Sequence, residues 1–307
     1  MGRAAPFAAE GEAVSAGEPG RRALAIADGG LRERLAARIG PGDGPPEALN
    51  LHRPLLVQEA HGAFLRAGAA MHRTNTRAAS AAHLAPAGLA ERAEAVNNSA
   101  VALVRGVIGP HGVVMGALGP PPPGADRGRP PDALLARAYG EQIVYLSDTG
   151  VSFLLLEHFE RLADAVLVVE AARRASDAPV LAQLRFGRDG RTADGAGADE
   201  AARRLLAAGA GALGVGCGPA PGTMAALLAE LRGRGVPVSA MPGLATPGGA
   251  TPYPDAPVLA PTEFADMMAG LLAAGADILG GCCGVTPEHI RALVKRCGAT
   301  AGAAAVQ

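Results

Sequence analysis

Two kinds of hydrophobic pattern alternate along this chain. Short apolar runs, which are typical of buried strands, are separated by longer stretches whose apolar residues recur at the spacing of an amphipathic helix. The predicted strands are residues 24–28, 71–76, 113–119, 153–159, 180–186, 212–217, 238–241 and 277–281. The predicted helices are residues 55–67, 89–107, 132–149, 161–176, 200–208, 223–234, 263–274 and 287–296. The pattern therefore predicts a repeated strand–helix unit.

The junctions between helices and strands repeat as well. A motif of leucine and small residues ends three of the helices, with a glycine at Gly68, Gly209 and Gly275. Glycine is favoured just after a helix because left-handed backbone costs it little there. Thr286 and Pro287 are the expected cap and first residue of the final helix. These boundary signals support the alternation.

Eight alternating strands and helices in 307 residues predict a single-domain α/β protein with the (β/α)8 TIM-barrel fold. We place the barrel at residues 21–300. Residues 1–20 contain three glutamates and no apolar core, so we expect a disordered N-terminal tail rather than a secretory signal. Residues 301–307 are expected to form a C-terminal tail. Segments 120–123 and 246–261 are expected to be long loops on the face that carries barrel active sites.

The composition argues against several classes of partner. A net charge of −1, with 3% aromatic residues and no tryptophan, argues against nucleic-acid binding and against an anionic membrane surface. No apolar run approaches the roughly 18 residues of a membrane span. Four cysteines do not make a disulfide framework, so the expected location is a reducing cytoplasm. We expect a monomer, because only a short segment follows the last predicted helix.

Three cysteines follow predicted strands and are flanked by glycine. Cys217 ends the sixth strand, and Cys282 and Cys283 end the eighth. Adjacent side chains of a regular strand point to opposite faces, so Cys282 and Cys283 reach one point only if the glycine-rich backbone bends. The carboxyl ends of barrel strands meet around the mouth, where all three thiolates can share a metal ion. Three thiolates favour Zn²⁺ and leave one coordination position open, as a catalytic metal requires.

Other interpretations of the cysteines stay open from the residues alone. Free cysteines are often simply small buried side chains. Cys282 and Cys283 are adjacent and could form a vicinal disulfide, which a reducing compartment disfavours. Gly280 and Gly281 would suit a phosphate site near the last strands of a barrel, but the cysteines would have no role in it. Cys297 lies at the end of the final helix and is expected to take no part in the site.

The strand ends also carry a series of motifs. In chain order they are Asp28-Gly29-Gly30, Thr74-Asn75-Thr76, Glu157, Gly214-Val215-Gly216-Cys217 and Gly280-Gly281-Cys282-Cys283-Gly284-Val285-Thr286-Pro287-Glu288-His289-Ile290. This series, which covers roughly residues 24–294, resembles the zinc-dependent homocysteine S-methyltransferases. That family includes betaine–homocysteine methyltransferase, S-methylmethionine-dependent enzymes and the homocysteine module of cobalamin-dependent methionine synthase. The double-cysteine segment is the most specific part of the resemblance.

The resemblance implies that Cys217, Cys282 and Cys283 bind Zn²⁺ and that the thiol of homocysteine takes the fourth position. A free thiol is mostly protonated at neutral pH, whereas Zn²⁺ removes the proton and leaves a sulfur that can attack a methyl group. The expected activity transfers a methyl group from S-methylmethionine, S-adenosylmethionine, betaine or a corrinoid to homocysteine, giving methionine. The alternatives are a different thiol or selenol acceptor, or a homocysteine-activating component that works with a corrinoid protein.

The resemblance also implies a set of substrate contacts. Asp28 and Glu157 are expected to hold the substrate ammonium group, and backbone N–H groups near Gly29 and Gly30 are expected to hold its carboxylate. Thr74 is expected to line the same pocket. The competing interpretations are a turn residue for Asp28 and an ion-paired strand end for Glu157. A carboxylate at the end of a barrel strand commonly faces the active site, which favours the functional interpretation of both.

Two histidines near the motifs are expected to lie outside the site, and three positions differ from the family pattern. His158 is expected to point away from the site across a regular strand, and His289 is expected to be structural. Gly216 stands where the family usually has asparagine, and Gly243 stands in a segment that is often Pro-Asn-Ala-Gly. The family's usual Gly-Thr is replaced around Leu31. These changes remove hydrogen-bonding groups from the rim of the pocket, which keeps a different acceptor thiol open.

Overall fold

The computed structural model describes residues 24–122, 131–245 and 258–298. Within them the chain forms eight strands that pair in parallel in the order β1-β8-β7-β6-β5-β4-β3-β2. These are β1 Ala25–Ile26, β2 Met71–Arg73, β3 Val113–Leu118, β4 Phe153–Phe159, β5 Val180–Leu184, β6 Ala212–Val215, β7 Val238–Ala240 and β8 Ile278–Leu279. A parallel bridge between Ala27 and Met71 closes β1 onto β2. The (β/α)8 TIM-barrel prediction is therefore confirmed.

Helices surround this barrel in the described part of the chain. They are α1 Leu31–Ala36, α2 Leu49–His52, α3 Pro54–Ala67, α4 Ala81–Leu84, α5 Ala93–Ile108, α6 Asp132–Asp148, α7 Leu162–Ala175, α8 Ala198–Ala208, α9 Pro221–Arg232, α10 Pro261–Ala273 and α11 Pro287–Cys297. The eight predicted helices correspond to α3 and to α5 through α11, with boundaries shifted by a few residues. The sequence pattern missed α1, α2 and α4, which are too short for a helical period to be visible.

The predicted helix ends are confirmed in detail. Gly68 follows α3 with a φ of 97°, and Gly209 follows α8 with a φ of 107°. Gly275 also has left-handed backbone, with a φ of 114°, one residue beyond the cap of α10. Thr286 is the N-cap of α11 and Pro287 is its first residue. At each of these junctions the chain turns directly from one element to the next.

Two layers of apolar side chains hold the barrel together. The outer layer lies between strands and helices and includes Phe64, Val104, Ile143 and Leu205, all almost fully buried. The inner layer fills the barrel itself, and its buried members are Ala27, Met71, Met115, Phe153, Leu155, Leu181, Ala212, Met241 and Ile278. Above this inner layer, the mouth of the barrel carries the cysteines and charged side chains described below.

Several predictions concern segments at the margins of the described structure. The tails at residues 1–20 and 301–307 lie outside the described residues, as do most of the predicted loop 246–261 and residue 123 of the proline-rich loop. Among the helices that the structure describes, none combines the length and the apolar character needed to cross a membrane.

Candidate metal centre

Three sulfur atoms meet at the mouth of the barrel, as the sequence predicts. Cys217 follows β6, and Cys282 and Cys283 follow β8; all three are buried and form a cluster of their own. The Sγ atoms of Cys282 and Cys283 are 3.9 Å apart, and both cysteines are free. The interpretation as a vicinal disulfide is therefore wrong, since a disulfide bond is about 2.05 Å long.

Glycines let the chain bend at this point. Strand β8 ends at Leu279, and Gly281 N–H then donates to Asp28 O at 2.9 Å while Cys282 N–H donates to Pro242 O at 2.9 Å. A Cβ at Gly281 would collide with the side chain of Val285, so no other residue fits there without rearrangement. Because the backbone leaves strand geometry after β8, two adjacent cysteines can point to the same place.

His158 joins the sulfur cluster, and the prediction that it points away from the site is wrong. Strand β4 pairs with β5 through a register shift between Leu156 and Phe159, and His158 has a φ of 65°. The shift breaks the alternation of side chains, so Nε2 of His158 lies 3.3 Å from Sγ of Cys282 and 3.8 Å from Sγ of Cys283. No local signal in the run of residues 153–159 marks this irregularity.

The four side chains form a compact donor set. One ligand atom from each of His158, Cys217, Cys282 and Cys283 lies within 4.8 Å of the other three. For tetrahedral Zn²⁺, bonds of about 2.3 Å to sulfur and about 2.0 Å to nitrogen place ligand atoms about 3.5 to 3.8 Å apart. The measured separations of 3.3, 3.8 and 3.9 Å are close to these values. The donor set and its spacing therefore fit zinc.

The cluster favours one thiolate. Hydrogen bonds from Cys217 and Cys283 hold the pKa of the Cys282 thiol well below its usual range, in spite of burial. Burial raises the pKa of the Cys217 thiol. Burial also disfavours the charged form of His158, but the neighbouring Cys282 thiolate outweighs it and raises the pKa of the imidazole. A negative charge on sulfur is thus stabilised where a cation would bind.

A cavity of about 280 Å³ opens beside the cysteines. Gly29, Gly30, Glu157, His158, Cys282 and Cys283 are among the residues that line it. A Cβ at Gly29 would lie 2.5 Å from Val285 O, and one at Gly30 would lie 2.9 Å from Cys282 O. The two glycines are needed because the loop after β1 packs directly on the loop that carries the cysteines.

A buried arginine, which the sequence analysis missed, organises the floor of this cavity. Arg73 donates from Nε to Asp28 Oδ1 at 2.7 Å, from Nη1 to Glu157 Oε2 at 3.0 Å and from Nη2 to Gly281 O at 2.8 Å. Its side chain is 6% exposed, and those of Asp28 and Glu157 are 0% and 7% exposed. Arg73 therefore ties the ends of β1 and β4 to the residue that precedes Cys282. The only sequence signal was a charged residue inside a predicted strand of the barrel.

The other predicted contacts occupy different positions around this centre. Asp28 is fully buried, and its two carboxylate oxygens accept from the side chain and the backbone of Arg73. Glu157 is ion-paired, as one interpretation had it, and also lines the cavity. Thr74 is buried between β2 and β3, where its hydroxyl accepts from Ala117 N at 3.0 Å. Gly30 N–H donates to Val285 O at 2.8 Å. Their roles towards a substrate stay predictions.

The family model for homocysteine S-methyltransferase matches residues 25–297. The chain belongs to the homocysteine S-methyltransferase family. It is 29% identical over 262 residues to methionine synthase of Mycobacterium tuberculosis, an alignment that covers 81% of this chain and 22% of that protein. The chain thus spans about a fifth of the length of the methionine synthases that it matches.

Shorter family members match over most of their length. The S-methylmethionine–homocysteine S-methyltransferase BHMT2 of Rattus norvegicus is 30% identical over 291 residues, which cover 89% of this chain and 78% of that protein. The metallated form of the homocysteine methyltransferase MmuM from Escherichia coli superposes with a TM-score of 0.74 at 22% identity, covering 90% of this chain and 97% of that one. This second likeness concerns the fold. The family model and the similarity to BHMT2 confirm the family resemblance.

Gly243 and Gly216, which the sequence analysis noted as departures from the family pattern, lie beside the sulfur cluster. A Cβ at Gly243 would collide with Sγ of Cys217, so the loop after β7 approaches the sulfur with its backbone. A Cβ at Gly216 would lie 3.8 Å from Gln183 Oε1, which leaves ordinary space there. The two remaining side chains from the sequence analysis lie apart. Cys297 is half-buried at the end of α11, and His289 is bonded to Thr286 and to Leu259 O, consistent with a structural role.

Proposed function

We propose that this protein is a zinc-dependent methyltransferase that moves a methyl group from an activated donor to the thiol of homocysteine, giving methionine. Cys217, Cys282 and Cys283 are the proposed zinc ligands. The observation that carries the proposal is the meeting of their sulfur atoms beside a cavity at the carboxyl ends of the strands, in a chain of this family. Barrel enzymes place their active sites on this face.

The protein's own residues prepare the site for a thiol. Bound Zn²⁺ would supply the positive charge that lowers the pKa of an incoming thiol into the neutral range. Burial of the cysteines excludes water from one side of the centre. Arg73 holds Gly281 O and Glu157 in place, and so fixes the distance between the cysteine loop and the carboxylate that lines the cavity. The anchored cysteine loop and the anchored carboxylate thereby define where the thiol and the amino group of the acceptor lie.

Glu157 is the proposed partner of the acceptor's ammonium group. Its Oε2 accepts from Arg73, whereas its Oε1 lies 4.0 Å from Nε of Arg77, beyond hydrogen-bond distance. An ammonium group can approach Oε1 from the cavity. Asp28 is proposed to help indirectly, because its carboxylate balances the positive charge of Arg73 and so leaves negative charge on Glu157 for the ammonium group. The loop at Gly29 and Gly30 is the proposed site for the substrate carboxylate.

The donor distinguishes two forms of the proposal. A small donor with a good leaving group, such as S-methylmethionine, S-adenosylmethionine or betaine, is consistent with the rat relative, whose name specifies S-methylmethionine. A second form, in which the chain activates homocysteine for a corrinoid protein, is supported by the similarity to methionine synthase. Another thiol or selenol as acceptor remains an alternative because of Gly216 and Gly243.

A donor and acceptor panel tests the function. Zinc-loaded protein is incubated with homocysteine and each of the three small donors or a methylated corrinoid protein, and methionine is measured by mass spectrometry. We expect methionine with at least one donor, loss of it in Cys283→Ser, and retention in Cys297→Ser, whose cysteine lies outside the cluster. Absence of methionine with every donor, or faster consumption of another thiol, overturns the assignment of homocysteine as acceptor.

A further inference from the structure

The cavity beside the cysteines contains an arginine whose guanidinium is not hydrogen-bonded to any carboxylate of the described residues. Four arginines line the described part of this cavity, and three of them pair closely with carboxylates: Arg73 with Asp28 and Glu157, Arg32 with Glu47, and Arg185 with Glu160. Arg77 is the fourth. Its Nε is buried without a hydrogen-bond partner in the described structure, and Glu157 Oε1 lies 4.0 Å away, beyond hydrogen-bond distance. A buried donor left unpaired costs free energy, so this nitrogen is poised for a ligand.

The base of the Arg77 side chain is held firmly although its tip is free. Gly119 N–H donates to Arg77 O at 2.8 Å, and a Cβ at Gly119 would lie 2.7 Å from Arg77 Cγ. The residue after β3 therefore packs directly on the stem of the arginine. On the other side, the buried Glu47 Oε1 accepts from Arg32 Nε and from Ala78 N–H, both at 3.2 Å. This one carboxylate ties the start of α1 to the loop that carries Arg77.

The position of Arg77 lies between the floor of the cavity and its opening. The side chain of Arg73 at the floor is 6% exposed, that of Arg77 is 26% exposed and that of Arg32 is 38% exposed. In a direct methyl transfer, the leaving group lies on the side of the methyl group opposite the attacking sulfur. Because the proposed function places that sulfur at the buried cysteines, the donor has to lie on the side of the opening, where Arg77 is.

The outer part of the cavity carries both signs of charge. Arg32, Arg77 and Arg185 line it together with Glu33 and Glu160. A mixed lining of this kind suits a small molecule that itself carries both a positive and a negative group. The planar guanidinium of arginine matches the geometry of a carboxylate, to which it can donate two parallel hydrogen bonds.

We propose that Arg77 binds a carboxylate of the methyl donor, and that the donor is a small sulfonium or ammonium compound with a carboxylate of its own. The inference rests on the proposed function for the methyl transfer itself. In the transfer, the bond from the methyl carbon to the donor's sulfur or nitrogen breaks and its electron pair stays on that atom. A bond from the methyl carbon to the acceptor sulfur forms. The donor thereby loses its positive charge and keeps the carboxylate that Arg77 binds.

Matched donors test the role of the carboxylate. Betaine and S-methylmethionine are each compared with their carboxamides, which keep the shape and remove the negative charge, using zinc-loaded full-length protein and homocysteine. In the wild-type protein we expect the carboxamide to have a KM about tenfold or more above that of the carboxylate, because hydrogen bonds between charged groups are the strong ones. Arg77→Gln should raise the KM of the carboxylate donor by a similar factor. The KM of the carboxamide and the KM of homocysteine should stay unchanged in this variant.

Two control variants separate this contact from a general effect of the substitution. Arg77→Lys keeps the positive charge without the planar fork, so it should recover part of the lost donor affinity. Arg137→Gln makes the same chemical change on the exposed face of α6, where Arg137 pairs with Glu141, and should leave every KM unchanged. Zinc content and thermal unfolding of Arg77→Gln should match the wild-type protein. If Arg77→Gln does not fold, Arg77→Lys is compared on the same donor pairs, and its loss should appear only with the carboxylates.

Calorimetric titration of the donors and their carboxamides, without homocysteine, provides a readout that does not depend on turnover. We expect the carboxylates to bind more tightly than the carboxamides, and this difference to disappear in Arg77→Gln. Equal binding of the two in the wild-type protein, or an equal loss for both in the variant, overturns the role of Arg77. A rise in the KM of homocysteine alone, or turnover only with a methylated corrinoid protein, overturns it as well. Carboxylate binding that depends on Arg77 without any methionine formed contradicts the proposed function instead.

Discussion

Arg73 is the residue whose removal should cost the fold and the site most. Its guanidinium neutralises two buried carboxylates, at 2.7 Å from Asp28 and 3.0 Å from Glu157, and donates to Gly281 O at 2.8 Å. Arg73→Met keeps an unbranched apolar side chain but leaves both carboxylates without a counter-charge. Removing one partner of a buried ion pair typically lowers the free energy of unfolding by about 3 to 5 kcal/mol. We expect a loss of at least about 3 kcal/mol in the free energy of unfolding.

The assay is urea unfolding of metal-free protein, which keeps zinc binding out of the comparison. Arg137→Met is the matched control, because Arg137 pairs with Glu141 at 2.9 Å on an exposed helix face. Such surface pairs contribute about 0.5 kcal/mol or less, so the same chemical change should be nearly neutral there. Adding Asp28→Asn to Arg73→Met should recover part of the loss, since it removes one unpaired buried charge.

The result for Arg73 can refute the reasoning in two ways. A loss below about 1 kcal/mol would mean that the buried carboxylates do not depend on this arginine. A large loss with no recovery in the double variant would mean that the cost comes from packing rather than from charge. We also expect Arg73→Met to weaken zinc binding, because Gly281 O, next to Cys282, loses its donor.

Two further predictions follow from buried positions. Burial lowers the pKa of His61 to about 3. Below pH 6.5 this imidazole therefore becomes protonated in the unfolded chain but stays neutral in the native state. Wild-type stability should thus fall by about 2 kcal/mol more than that of His61→Leu between pH 6.5 and pH 5, measured by urea unfolding; equal slopes would contradict this. Gly243→Ala should weaken zinc binding by about tenfold or more because its Cβ collides with Cys217. Gly270→Ala, an open position inside α10, should leave zinc binding unchanged and raise stability by about 1 kcal/mol; equal zinc affinities in the two variants would refute the collision.

The fold was largely accessible from the sequence because its signals are local. Short apolar runs mark most of the strands, and glycines such as Gly68 and Gly209 mark the helix ends through a backbone conformation that only glycine adopts readily. The short helices α1 and α2 were not accessible, since six and four residues are too few to reveal a helical period.

The site was accessible only in part, for a different physical reason. Adjacent glycines mark the three cysteines in the sequence, and barrel topology predicts that their side chains converge at the mouth. Arg73 and His158 depend on contacts between distant segments: Arg73 meets carboxylates 45 and 84 positions away, and His158 meets Cys282 124 positions away. The orientation of His158 also requires a register shift in β4, which depends on pairing with β5 and not on the residues of β4 alone.

The zinc content of the purified protein and its serine variants is the most direct test of the central claim. After dialysis against a weak chelator, we predict one zinc ion per chain in the wild-type protein and in Cys297→Ser. We predict loss of zinc in each of Cys217→Ser, Cys282→Ser and Cys283→Ser, whose sulfur atoms share one cluster. Full zinc content in any of these three variants would contradict the claim that the three cysteines hold one metal ion.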